Sequence, residues 1–163
     1  MSFPAVRLLF VSGFLAVLTA CTSTPPSKPV VVDVPLEPVC DRQSDTRLAG
    51  NWYLTRKLSG VAGEMQTLLT LHPDGKMRQQ TRVKSGRHIR SELRETGCWS
   101  MSDGKLTTRV IRSNGELVDF NDPIYRTLYR VEKVDARRLT IREDKAGSRS
   151  VTAERKPDQY RLP

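Results

Sequence analysis

The chain has 163 residues, a formal net charge of +9 and 37% hydrophobic residues, with three cysteines and two histidines. That length supports one ordinary domain with a modest core. The two histidines, His72 and His88, lack ligand spacing to any cysteine, so no metal site is expected. There is no Gly-x-Ser-x-Gly elbow and no phosphate loop, so neither catalysis nor a cofactor is expected.

The chain opens with Arg7, an apolar run Leu8–Leu18 and small residues, the pattern of an export signal. The run is too short to span a bilayer as a helix, which favours a removable signal over residues 1–20. Leu18-Thr19-Ala20-Cys21 resembles the bacterial lipobox at all four positions. The resemblance implies that cleavage leaves Cys21 as the first residue of the mature chain, with a diacylglycerol on its thiol. Neither Thr22 nor Ser23 is an aspartate. By resemblance to enterobacterial sorting rules, that sends the protein to the outer membrane, lipid-anchored and facing the periplasm. The membrane is then a partner through the anchor, and nucleic acid is excluded by compartment.

Residues 21–47 read as the lipidated cysteine and a tether. Over Thr22–Val39, Pro25, Pro26, Pro29, Pro35 and Pro38 favour extended chain, which at about 3 Å per residue reaches roughly 50 Å from the membrane. Val30–Val34 is a β-prone exception that suits an edge strand. With Cys21 taken by lipid, Cys40 and Cys98 remain as an even pair in an oxidising compartment. A disulfide is the expectation, with two buried free thiols as the alternative. The bond would constrain the unfolded chain by about 4 kcal/mol in the loop-entropy description.

From Leu48 to Pro163 the chain reads as one domain punctuated by turn dipeptides: Asp74-Gly75, Ser85-Gly86, Asp103-Gly104, Asn114-Gly115 and Ala146-Gly147. These supply the positive φ of tight hairpins. The segments between them alternate. Met77, Thr81 and Val83 oppose Lys76, Arg78, Arg82 and Lys84; Ile89, Ser91 and Leu93 oppose His88, Arg90, Glu92 and Arg94. Leu106, Thr108 and Val110 share a face, as do Leu139 and Ile141. Over Tyr125–Val134, Tyr125, Thr127, Tyr129 and Val131 oppose Arg126, Arg130 and Glu132. Period two with one polar face marks antiparallel sheet. The expected fold is all-β, an up-and-down antiparallel meander of roughly eight to ten strands that closes into a barrel.

Leu48-Ala49-Gly50-Asn51-Trp52 resembles the Leu-x-Gly-x-Trp opening of lipocalin-like domains. The succession of Leu69–Met77, Gly97–Leu106 and Tyr129–Asp135 into Leu139–Ile141 is similar to small bacterial lipocalin-like proteins, often lipoproteins. The resemblance implies a small barrel binding a small or amphipathic envelope ligand. Trp52, Trp99, Tyr125 and Tyr129 are the candidate ligand contacts, with core packing as the alternative for each. Gln79, Thr81, Ser91, Thr108 and Thr127 share the inward faces, as a small wet cavity would require.

The positive charge comes from 19 arginines against 8 lysines, and arginine's planar fork suits phosphate and carboxylate. Arg78, Arg82, Arg90 and Arg94 form the candidate basic face, suited to an acidic envelope protein or anionic head groups. His72 and Asp74 sit at a hairpin end as turn residues, and Glu92 and Glu95, three apart on a strand, face opposite ways. The function expected is a non-enzymatic lipoprotein that binds a small or amphipathic envelope ligand or supports maintenance of the envelope. The alternative is a lipoprotein that docks an acidic protein, as an inhibitor, an immunity protein or an accessory to an envelope complex.

Overall fold

The computed structural model describes residues 36–57 and 63–163. The signal over residues 1–20, Cys21, and the Val30–Val34 segment lie outside the described residues. Leu36–Pro163 forms a single compact unit.

Nine strands follow in chain order: β1 Gly50–Arg56, β2 Glu64–Leu71, β3 Lys76–Ser85, β4 His88–Ser102, β5 Lys105–Ser113, β6 Glu116–Leu117, β7 Arg126–Val134, β8 Arg138–Glu143 and β9 Val151–Lys156. Every pairing is antiparallel. The sheet runs β4-β3-β2-β1-β9-β8-β7-β5, and a β4–β5 pairing closes it into an eight-stranded barrel. The short β6 pairs only with β5, outside the ring. No α-helix occurs among the described residues; helical backbone is limited to 3-10 turns at Thr46–Leu48 and Pro123–Tyr125. Closure pairs β4 with β5 from Glu95 onward and so removes most of the free edge an open sheet would expose.

The local chemistry matches the expected hairpins. Asp103 and Gly104, and likewise Asn114 and Gly115, all adopt positive φ, the requirement of a tight two-residue turn between twisted strands. Alternation sends Trp52, Leu69, Leu71, Met77, Trp99, Leu106, Leu139, Ile141 and Ala153 into one buried cluster. Fully burying a large apolar side chain contributes about 1.5–3 kcal/mol, so these residues supply the main drive for closure.

Three bulges change the side-chain parity: between Val83 and Lys84, Thr96 and Gly97, and Val131 and Lys133. One extra residue bends a strand and shifts everything after it to the other face. Arg90 is the extra residue opposite Val83/Lys84, since Ser91 pairs with Val83 and Ile89 with Lys84. β4 meets β5 only from Glu95 onward. Before that point it pairs with β3 alone, which leaves Ser91 and Leu93 exposed on a face that alternation directs inward.

Tyr125 departs from the expected strand. It ends the 3-10 turn Pro123–Tyr125, and β7 begins at Arg126. The cause is local: Pro123 presets a helical φ, and Asp122 caps the turn by accepting a hydrogen bond from the Ile124 amide at 2.9 Å.

Both flanks of the barrel are tied to it. Cys40 and Cys98 form a disulfide. The Gln43 amide donates to the Pro73 carbonyl at 3.0 Å, the Met101 amide donates to Gln43 Oε1 at 3.0 Å, and Arg112 pairs with Glu37. Residues 36–47, read from the sequence as tether, are therefore anchored to the domain over their length. At the other terminus the Asn51 side chain donates to the Pro157 carbonyl, Tyr160 meets Tyr53 edge to face, and Arg82 donates to the Leu162 carbonyl. This tail buries Leu162 and crosses the outer face of β1–β3, where Leu68 is also buried.

Candidate functional site

One end of the barrel is a plug. Trp52 is fully buried and donates its indole N–H to the Leu48 carbonyl at 2.7 Å. The Arg155 guanidinium lies 4.1 Å from the centre of the Trp52 ring and donates to the Ala49 and Arg47 carbonyls at 2.5 and 2.7 Å. A Cβ at residue 50 would strike this guanidinium, and Gly50 has φ +133°. The Leu-x-Gly-x-Trp opening thus has a physical basis: Leu48 supplies an acceptor, Gly50 supplies room, and Trp52 supplies the face that Arg155 covers. Trp99 is equally buried and donates its indole N–H to the His72 carbonyl at 2.8 Å. Trp52 and Trp99 close the barrel and do not line its cavity.

Beyond the plug, between β3, β4, β5 and the start of β7, lies a cavity of about 170 Å³. Its polar lining is Gln79, Glu95, Thr108 and Thr127, together with Tyr125 and Tyr129; Met77, Val110 and Ile124 make up the apolar part. Tyr125 and Tyr129 are thus brought together, although only Tyr129 sits on a strand. Glu95 accepts a hydrogen bond from Gln79 Nε2 at 2.9 Å. Burial pushes its carboxyl above the ordinary 4.5, with the Gln79 hydrogen bond pulling the other way. Burial also raises the Tyr129 hydroxyl, helped by the negative charge of Glu143. At the mouth, Leu93 and Ile124 are exposed large apolar residues.

The outer face has a groove of about 1040 Å³ beside the C-terminal tail, with Arg78, Arg82, Arg94 and Arg161 on its walls and Gln79 and Glu95 shared with the lining of the lumen. Arg82 is bound into the fold: it pairs with Glu92 at 2.6 Å and donates to the Leu162 carbonyl at 2.9 Å. Arg94 reaches the same carboxylate at 2.5 Å. The Arg82 hydrogen bond holds the Glu92 carboxyl below its usual range. Arg78 forms no ion pair among the described residues, and Arg90 stands exposed on its bulge away from the groove.

Glu92 and Glu95 do face opposite ways, each with its own partners. Asp74 caps the Lys76 amide at 3.1 Å and pairs with the Lys76 side chain at 2.9 Å, as a turn residue does. Sequence reasoning did not single out Arg155 or the Glu95–Gln79 pair. The signal for both was parity: Arg155 follows Val151 and Ala153 in period two, and Glu95 follows Leu93. No protein-family model matches the chain, and no curated protein matches its sequence.

Proposed function

We propose that this protein is an outer-membrane lipoprotein, anchored through Cys21 and facing the periplasm, whose barrel takes a small or amphipathic ligand into its open end. The supporting observation is the luminal cavity, where Glu95, Gln79, Thr108 and Thr127 stand among Met77, Val110 and two tyrosines. Polar groups inside a barrel cost free energy unless something meets their hydrogen-bonding needs. A cavity below the ~300 Å³ typical of drug-sized sites suits the head of a ligand better than a whole lipid.

Native mass spectrometry of the chain released from membranes tests the binding reading. A reproducible excess mass over the lipidated chain, lost on denaturation, is the expected result; a bare barrel under gentle release counts against it. The anchor has its own test. Cys21→Ser should abolish acyl labelling and move the protein out of the membrane fraction, and unchanged fractionation would refute lipidation at Cys21.

A second reading has one observation in its favour. Arg78 and Arg161 line the outer groove without a carboxylate partner among the described residues, as a surface receiving an acidic protein would require. Reversing both to Glu should then abolish capture of that partner and leave the luminal adduct unchanged.

A further inference from the structure

We propose that the luminal pocket selects an amine, with the ligand's ammonium group held by Glu95 among the Tyr125 and Tyr129 rings and its alkyl part leaving over Ile124 and Leu93. This rests on the lumen being a ligand site and assigns the chemistry of its ligand.

Charge sets the sign. Lysine and arginine outnumber acidic residues 27 to 18 in the chain, yet among the described residues no lysine or arginine lines this cavity. Among the described residues, Glu95 is the only carboxyl lining it. It is half-buried and forms no ion pair among the described residues. Its Oε2 accepts from Gln79, and its Oε1 has no protein donor among the described residues. A half-buried carboxylate with a free oxygen beside an open space is matched by a donor cation.

The remaining walls agree. The hydroxyls of Thr108 and Thr127 can accept hydrogen bonds from an ammonium. Aromatic rings attract cations through their negative faces, and two tyrosines line this space. An anionic head group, such as that of a fatty acid, would meet Glu95 with like charge and no compensating cation. Two charged groups act on the pocket's Tyr129 from other strands, Arg56 at the end of β1 and Glu143 on β8. Neither lines the pocket.

Size sets the portion bound. About 170 Å³ holds an ammonium and a few carbons. Ile124 is 74% and Leu93 36% exposed, so a longer alkyl part has an apolar surface to follow as it leaves. Leu93 stands two residues before Glu95 on β4, one step closer to the mouth along the same face.

The test compares four probes of equal chain length: hexylamine, hexyltrimethylammonium, hexanol and hexanoate. They are titrated by protein-observed NMR into the lipidated chain in neutral nanodiscs, with empty nanodiscs as the partition control. The two amines should bind at least tenfold tighter than hexanol, and hexanoate weakest. Glu95→Gln should lower amine affinity at least tenfold and leave hexanol unchanged. Thr127→Val should weaken hexylamine, which donates hydrogen bonds, more than hexyltrimethylammonium, which does not. Amine binding should also fade on acidification as Glu95 takes up its proton, at a higher pH than for an exposed carboxylate.

Equal binding of hexylamine and hexanol, or amine affinity that survives Glu95→Gln, overturns the amine assignment but leaves the lumen as a binding site. Failure of all four probes to shift any luminal resonance overturns both.

Discussion

At one end of the barrel Trp52, Leu106 and Leu139 are wholly removed from solvent; at the other, Ser91, Leu93 and Ile124 reach it. The same strands pass through both ends. The connections differ. The plugged end has the short turns at Asp74-Gly75, Asp103-Gly104 and between β7 and β8, whereas the segments between β5 and β7 and between β8 and β9 emerge at the open end. Short turns hold neighbouring strands in register and let large side chains meet. Longer connections and the overhanging β3–β4 ribbon leave the inward faces unfilled, which gives polar residues a cavity to line. Stability should therefore be concentrated at the plug and binding at the mouth.

The largest expected effect lies at the plug. Trp52→Ala removes a fully buried ring and strands Arg155. It should cost about 5 kcal/mol, read as a lower urea midpoint, and a loss under about 1 kcal/mol would break the comparison. Replacing Cys40 and Cys98 by Ser should cost about 4 kcal/mol in the loop-entropy description, with the luminal resonances unchanged in the folded state. Arg155→Met removes the cation over Trp52 and two carbonyl contacts. A loss of about 2 kcal/mol is expected, with amine binding intact.

At the mouth the sign reverses. Burial raises the folded-state pKa of Glu95 above its unfolded value. The folded chain then holds this proton more tightly than the unfolded chain, and stability falls as pH rises through the two values. Glu95→Gln removes that loss. It should raise the melting temperature at neutral pH, a gain that solvent screening of a half-exposed group keeps under about 1 kcal/mol. The gain should vanish below about pH 4, where both states of the wild type are protonated. A variant less stable than wild type at neutral pH would mean that Glu95 is a structural group. Arg90→Glu, on its exposed bulge, should move stability by less than about 0.5 kcal/mol and leave luminal binding unchanged.

Much of this barrel was legible because its decisive features are local. Asp103-Gly104 and Asn114-Gly115 announce their hairpins, and Leu139/Ile141 announce an inward face, within a few residues of chain. The pairing of Trp52 with Arg155 closes the ring across more than half the sequence, and nothing near either residue encodes it. Tyr125 was misplaced because its alternation with Thr127 looks like strand, while Asp122 and Pro123 fold it into a turn. The bulge at Val83/Lys84 put Ile89 outside the face expected for it, since a single extra residue has no signature in composition. The cavity carboxylate was half visible: parity separates Glu95 from Glu92, but the Gln79 partner follows from register, which only the folded sheet fixes.

The bond between Cys40 and Cys98 also decides how the domain carries mechanical load. Tension arriving along the chain from the N-terminal side enters β4 at Cys98 directly, and residues 41–97 are bypassed. With the two cysteines 58 positions apart, about 200 Å of contour is shielded from extension. β1, β2 and β3, and with them Trp52 and Gln79, belong to the shielded stretch. A pull between that side and the C-terminus strips β5 to β9 from the barrel and extends none of the shielded strands while the bond holds, and reduction of the bond would reveal the hidden length as a longer step in a single-molecule unfolding trace.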